Sequence, residues 1–192
     1  MTRLSARSSL SDPLVIAAVQ TPIGGRLGLT FCPGKCDPNA MTGAWARDLD
    51  QDLQAICDWG ACGLITLMET DELVSLGVPD LGGRSNAHSL SWWHMPIVDV
   101  SIPTKEFEMI WHESWWQMVN LLSAEENLVI HCRGGLGRTG LVAARILVDL
   151  GLSPDVAIKR VRSARPGAIE TTEQKRYVLD KVWDRFTTIA HD

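Results

Sequence analysis

The 192-residue chain lacks any apolar run near the roughly 18 residues that cross a bilayer; stretches such as Leu14 to Val19 and Leu141 to Ala144 fall far short. A soluble protein with no membrane partner is expected. The chain also lacks a basic excess. Its 18 Lys and Arg against 23 Asp and Glu leave a formal net charge of −5, which argues against binding driven by neutralising nucleic-acid phosphates. Nor is it poor enough in apolar residues for disorder, at 45% hydrophobic and 21% charged. No internal repeat, low-complexity tract or Pro/Gly/Ser-rich linker divides it, so one domain with a substantial core is expected. Arg3 and Arg7 imitate the basic region of a signal peptide, but Ser8 to Pro13 supply no apolar segment behind them. Residues 1–12 therefore read as a loose cytoplasmic N-terminus ahead of a domain over 13–192.

An even cysteine count is missing too. Five cysteines, at 32, 36, 57, 62 and 132, with no secretory segment, argue for free thiols in a reducing compartment rather than a disulfide framework. A four-thiolate zinc site from the first four is disfavoured, because the pairs lack knuckle-like spacing and no histidine lies between Cys32 and Cys62. Cys57 or Cys62 is either a resolving thiol for a reactive cysteine elsewhere or, as the favoured reading, buried and inert. Tyrosine is nearly absent: Tyr177 stands against eight tryptophans. Of the adjacent pairs Trp92-Trp93 and Trp115-Trp116, one member each is expected in the core and the other half-buried or lining a surface.

What is present reads as an α/β alternation. Leu14 to Gln20 and Leu27 to Cys32, joined through Pro22-Ile23-Gly24-Gly25, predict a hairpin at an edge. Trp45, Leu49, Leu53 and Ile56 recur at helical spacing and predict a helix between Thr42 and Asp58. There follow a strand over Leu64 to Met68, a short helix over Asp71 to Leu76, a strand over Ser91 to Val98, and a long helix over Thr104 to Leu122 with Phe107, Trp111, Met118 and Leu122 on one face. Leu128 to His131 predicts another strand, and helices are expected over Thr139 to Leu150, from Ser153-Pro154 to Arg162, and over Thr172 to Ile189. This is an α/β domain with a largely parallel central β-sheet flanked by helices.

The chemistry concentrates in His131-Cys132-Arg133-Gly134-Gly135-Leu136-Gly137-Arg138-Thr139-Gly140, between a buried strand and a helix. Three glycines among residues 133–137 let the backbone curl so that successive N–H groups face one anion-binding concavity. The helix N-terminus adds partial positive charge, favouring both a phosphate and the thiolate of Cys132. Arg138 returns to the mouth of the loop, where its planar fork can hold two phosphate oxygens. Arg133, Gly134, Gly135, Leu136, Gly137 and Arg138 are thus the expected phosphate-binding residues, and Cys132 the nucleophile.

This pattern resembles the H-C-x(5)-R-[ST] signature of the cysteine-dependent protein phosphatase superfamily. That superfamily uses an acid on a separate loop, and Asp99, 33 residues before Cys132 and just past an apolar strand, resembles the general acid of its dual-specificity branch. A helix-cap aspartate ahead of Thr104 is the alternative, and Asp80 is the next acid in line. Within that branch the loop from Gly134 to Arg138, the upstream Leu27 to Lys35 and the downstream Arg165-Pro166-Gly167-Ala168-Ile169-Glu170-Thr171 are similar to the kinase-associated phosphatase group. Two departures stand out. Val100-Ser101-Ile102-Pro103 follow Asp99 where that group carries glycines, and Glu170 stands where glutamine is often found.

The resemblance implies a phosphoprotein phosphatase working through a cysteinyl-phosphate, with no metal or other cofactor. In that mechanism Asp99 serves as acid and then base, and the Thr139 hydroxyl hydrogen-bonds to the departing thiolate. His131, whose side chain should point away from the pocket, is expected to orient the loop or the cysteine. Arg165 and Gln174 either brace the phosphate loop or position water, or else are an ordinary surface ion pair and helix polar residue. A rhodanese-type sulfurtransferase would lack the Arg-[ST]-Gly helix start and the separate acid. A phospho-binding module would lack Cys132 or Arg138. A phosphoinositide enzyme often carries loop lysines, whereas Arg133 is the only extra cation here. A phosphorylated protein is the expected partner. With no tyrosine upstream to clamp an aromatic ring, a pocket admitting phosphoserine or phosphothreonine is expected.

Overall fold

In the computed structural model of the chain, which describes residues 6–40 and 43–180, the residues flanking the Pro22 to Gly25 turn form the expected hairpin. β1 (Ala17–Gln20) runs antiparallel to β2 (Arg26–Phe31), with Ala17 opposite Leu29. The chain then makes a small ribbon, β3 (Cys36–Asp37) with β4 (Trp45–Ala46), before α1 (Leu49–Asp58) and the buried β5 (Ala61–Thr66). Two short helices, α2 (Thr70–Ser75) and α3 (Leu81–Ala87), lead to β6 (Ser91–His94), and α4 (Lys105–Ser123) leads to β7 (Asn127–Cys132). The last helices described are α5 (Gly137–Asp149), α6 (Pro154–Ala164) and α7 (Thr172–Asp180); the predicted continuation to Ile189 lies outside the described residues.

The five-stranded sheet has the order β1-β2-β7-β5-β6, parallel except for the β1–β2 pair. Its parallel strands end along one edge, where Phe31 pairs with Cys132 and Thr66 with both His131 and His94. Ligand sites of α/β sheets form outside the carboxyl ends of the strands, and that edge is where the glycine-rich loop emerges. β7 is central and buried from Leu128 to Cys132, which explains its unbroken apolar run. α5 is the most enclosed helix, with every residue from Gly137 to Leu147 buried. α4 lays Phe107, Trp111, Met118 and Leu122 on the core as its periodicity predicts, and its Thr104 side chain caps the first turn. The Trp115-Trp116 pair divides as expected, Trp115 buried and Trp116 60% exposed.

Two expectations need correction. The helix predicted between Thr42 and Asp58 begins only at Leu49, because the Asp48 carboxylate caps it by accepting from Gln51 N–H. Trp45, counted on its apolar face, is instead a strand residue whose ring meets Phe31 at 5.3 Å. The N-terminus is not loose as far as Asp12. Arg7 exchanges backbone hydrogen bonds with Ala44 and Ala46 and lies 4.9 Å over the Trp45 ring, while Ser9 bonds to Asp48. In addition, α3 forms although its adjacent Gly82 and Gly83 disfavour a helix. A Cβ at Gly82 would collide with the Trp92 ring, so close tertiary packing selects glycine inside a helix. No helix among the described residues is long and apolar enough to cross a membrane.

Candidate active site

β7 delivers Cys132 to the end of the sheet, and the chain turns at once into the loop that opens α5. Gly135, at φ +71°, takes a left-handed conformation, and a Cβ there would strike the Thr30 carbonyl on β2; only glycine lets the loop lie this close to the strand. The turn aims the Gly135 N–H at Cys132 Sγ, 3.2 Å away. The buried sulfur, 4% exposed as a residue, therefore faces a backbone donor and the N-terminal end of α5. Both favour an oxyanion bound in the loop.

Arg138 is 2% exposed, and nearly all its donors can be assigned. Nη1 donates to Glu72 Oε2 at 2.6 Å and to the Ile97 carbonyl at 3.0 Å. Nη2 donates to Glu72 Oε1 at 2.9 Å and lies 2.9 Å from Asp99 Oδ1. Nε has no partner among the described residues. Burial works against the guanidinium charge, but Glu72, with Cys132 and Asp99, more than offsets it, so Arg138 is held even more firmly cationic than usual. Burial pushes the Glu72 carboxyl up, yet its bonds from Arg138 and the Glu69 N–H bring it below the usual carboxylate range.

Glu72 escaped the sequence reading. The available signals were a carboxylate in the first turn of a short helix after a buried strand, and the rule that a buried arginine requires a counter-ion.

Asp99 sits on an exposed loop, its side chain 60% exposed. Its Oδ1 also accepts from the Val100 N–H at 3.0 Å, and Val100 adopts φ +61°. Asp80, the alternative acid, stands at the N-terminus of α3. Thr139 Oγ1 is buried and unpartnered among the described residues. His131 is fully buried beneath the loop. Its Nε2 lies 2.8 Å from Thr66 Oγ1, which accepts from Trp92 Nε1 at 2.8 Å, so a hydrogen-bonded chain crosses β7, β5 and β6. Burial drives the imidazole down to about 3, leaving it neutral.

Arg165 donates to the Gly135 and Gly134 carbonyls at 3.2 and 3.5 Å, on the outer side of the loop. Gln174 is fully buried against the loop's end at Gly137. Arg133, expected to bind phosphate, is ion-paired with Asp37 of β3 at 2.8 Å. Cys57 and Cys62 donate to backbone carbonyls of His88 and Asn127. Cys62 lies beside the first residue of β7 and Cys132 is the last; five residues of strand, about 16 Å, separate those levels. This distance rules out the resolving role considered for Cys62, since disulfide Cα atoms lie within about 7 Å. Cys32, whose N–H reaches the Arg133 carbonyl, is the thiol that the sheet register carries alongside the loop.

Comparison with known proteins agrees with this geometry. Residues 35–178 match the PTP-SAK family, described as Swiss Army Knife protein, DSP-PTPase phosphatase domain. The chain is 31% identical over 135 residues to cyclin-dependent kinase inhibitor 3 of Rattus norvegicus, covering 69% of this chain and 62% of that protein. It therefore spans less than two thirds of that relative's length. Among solved structures, kinase associated phosphatase with serine in place of its catalytic-site cysteine superposes with a TM-score of 0.76 at 27% identity, over 87% of this chain and 93% of that one. Tk-PTP in its active form gives a TM-score of 0.62 at 27% identity, covering 85% and 94%. With the family match spanning most of the chain, the chain belongs to the dual-specificity and tyrosine phosphatase (DSP-PTPase) family.

Proposed function

We propose that the protein hydrolyses phosphoserine, phosphothreonine or phosphotyrosine monoesters of a phosphorylated protein through a cysteinyl-phosphate at Cys132. The observation carrying this reading is the convergence of three groups: the Cys132 sulfur under the Gly135 N–H, the buried Arg138, and Asp99 at 2.9 Å from Arg138 Nη2. Cys132 thiolate attacks phosphorus, forming S–P as the P–O bond to the leaving group breaks. The loop N–H groups and the α5 N-terminus stabilise the equatorial oxygens, and Arg138 offers Nε and the Nη2 hydrogen that Glu72 does not take. Asp99 gives a proton to the leaving oxygen, then takes one from the water that breaks S–P and returns the thiolate. The unpartnered Thr139 hydroxyl is free to donate to that thiolate. Glu72 holds Arg138 flat through two bonds, Arg165 braces the loop from its carbonyl side, and neutral His131 locks β7 to β5 below the nucleophile. The pairing of Arg133 with Asp37, which spends the loop's extra cation, favours a singly phosphorylated group over a polyphosphorylated lipid head. Five free thiols support a reducing, cytoplasmic setting.

The test is hydrolysis of p-nitrophenyl phosphate and of a phosphothreonine peptide in the presence of a chelator. Turnover that vanishes in Cys132→Ser and survives chelation is expected; undiminished turnover in that variant, or strict dependence on added metal, would refute the reading.

A further inference from the structure

The Asp99 loop is held in a costly conformation. Val100 stands at φ +61°, and on the facing segment Ile169 also stands at φ +61°. Both are β-branched, for which the left-handed region is a genuine outlier. Such strain persists only where the surroundings over-determine the backbone. The side chain lying between these two segments is Gln174 of α7, fully buried. Its Oε1 accepts from Glu170 N–H at 3.0 Å and Thr171 N–H at 3.4 Å, and its Nε2 donates to the Ser101 carbonyl at 3.2 Å. The amide orientation follows from these partners, since a flip would set an NH₂ group against two N–H donors. A Cβ at Gly137 would lie 3.1 Å from both amide atoms, so the same group packs directly on the last turn of the phosphate loop.

One amide thus touches three backbone segments: the phosphate loop at Gly137, the acid loop two residues past Asp99, and the entry to α7. We propose that Gln174 is the positioning residue that sets the register of the Asp99 loop against the phosphate loop. It acts through Asp99 rather than on phosphorus, and the inference rests on the acid role assigned above. A buried amide bonded in both directions rigidifies its neighbours, and its three bonds are side chain to backbone, insensitive to loop sequence. This explains how the loop keeps its position with Val100-Ser101-Ile102-Pro103 after the aspartate. A loop displacement of about 1 Å at a catalytic group is enough to cost on the order of 10²-fold.

The separating variant is Gln174→Glu. It keeps an oxygen acceptor for Glu170 and Thr171 N–H but deletes the donor to Ser101, placing two acceptors together. Gln174→Met, which removes both functions without adding charge, serves as the second variant, and a thermal melt establishes that each is folded. The readout is the ratio of kcat/KM for a phosphothreonine peptide to that for p-nitrophenyl phosphate, because only the poor leaving group needs the acid. Asp99→Asn alone should collapse this ratio by roughly 10² to 10⁴-fold. Gln174→Glu should lower it by about 10-fold to 100-fold, and no further in an Asp99→Asn background. An unchanged ratio in both Gln174 variants, or an equal further fall when Asp99 is already Asn, would overturn the positioning role while leaving Asp99 as acid. An unchanged ratio in Asp99→Asn would instead remove the acid assignment, and the positioning role with it.

Discussion

Asp99 Oδ1 lies 2.9 Å from Arg138 Nη2, an ion pair beside a guanidinium whose hydrogen bonds go to Glu72 and the Ile97 carbonyl. With both Nη1 hydrogens and the other Nη2 hydrogen committed to Glu72 and the Ile97 carbonyl, Arg138 can grip phosphate at two points only through Nε and this Nη2 position. In the proposed mechanism the Asp99 carboxylate and the phosphoryl group therefore compete for the same cation.

This competition has a measurable consequence. Asp99→Ala removes the competitor, and an ion pair as exposed as this one is worth about 0.4 to 1 kcal/mol. Inorganic phosphate and vanadate should then bind roughly twofold to fivefold more tightly, as read by competitive inhibition or calorimetry, even as phosphopeptide turnover falls. Weaker oxyanion binding in the variant would show that Asp99 does not occupy the phosphate position.

Arg138→Lys keeps the charge and loses the fork. A lysine cannot bond both Glu72 oxygens, reach the Ile97 carbonyl and still offer two parallel donors. A loss of about 10²-fold or more in kcat is expected, since one transition-state donor is worth that much. Stability should also fall, because the partly buried Glu72 loses one of its two bonds to position 138. Activity within threefold of wild type would remove Arg138 from the phosphoryl group.

Away from the site, Asp149 closes α5 among buried groups. Its carboxylate accepts from Trp111 Nε1 at 3.2 Å and lies 3.6 Å from Arg145 Nε, while Arg145 is already held by Glu108 at 2.8 and 2.7 Å. Burial pushes Asp149 up to about 6, only partly offset by Arg145 and Trp111. A carboxyl raised in the native state binds its proton more tightly there than in the unfolded chain. Its contribution to stability therefore falls as pH rises from about 4 to about 6, and above that the charge is a fixed cost. Asp149→Asn, which keeps an acceptor for Trp111, should raise stability by about 1 to 3 kcal/mol at pH 7.5, with a gain that fades toward pH 4.5. Thermal melts at the two pH values test this, and a lower melting temperature for the variant at pH 7.5 would contradict it.

Features that depend on neighbours in the chain were legible without coordinates. The run from His131 to Gly140 carries nucleophile, glycines, arginine and helix start within ten residues, and a turn between strand and helix is decided by local dihedral and hydrogen-bond rules. Asp99 is a candidate acid because it follows an apolar strand, and the core face of α4 is legible because it repeats at helical spacing. Arg133 shows where such reading stops: its place in the loop is local, but its partner Asp37 comes from a ribbon 96 residues earlier.

Only the tertiary structure brought Glu72 to Arg138 across 66 positions and Gln174 to the Ser101 carbonyl across 73. It also turned Trp45 from a helix face into a strand against Phe31, and packed Trp92 onto Gly82 inside a helix. Propensity and periodicity are short-range preferences worth tenths of a kcal/mol per residue. Burying an arginine, an amide or an indole is worth several times more and depends on which distant atoms meet it. Sequence alone therefore determined which residues could do the chemistry, and packing decided which residues hold them in place.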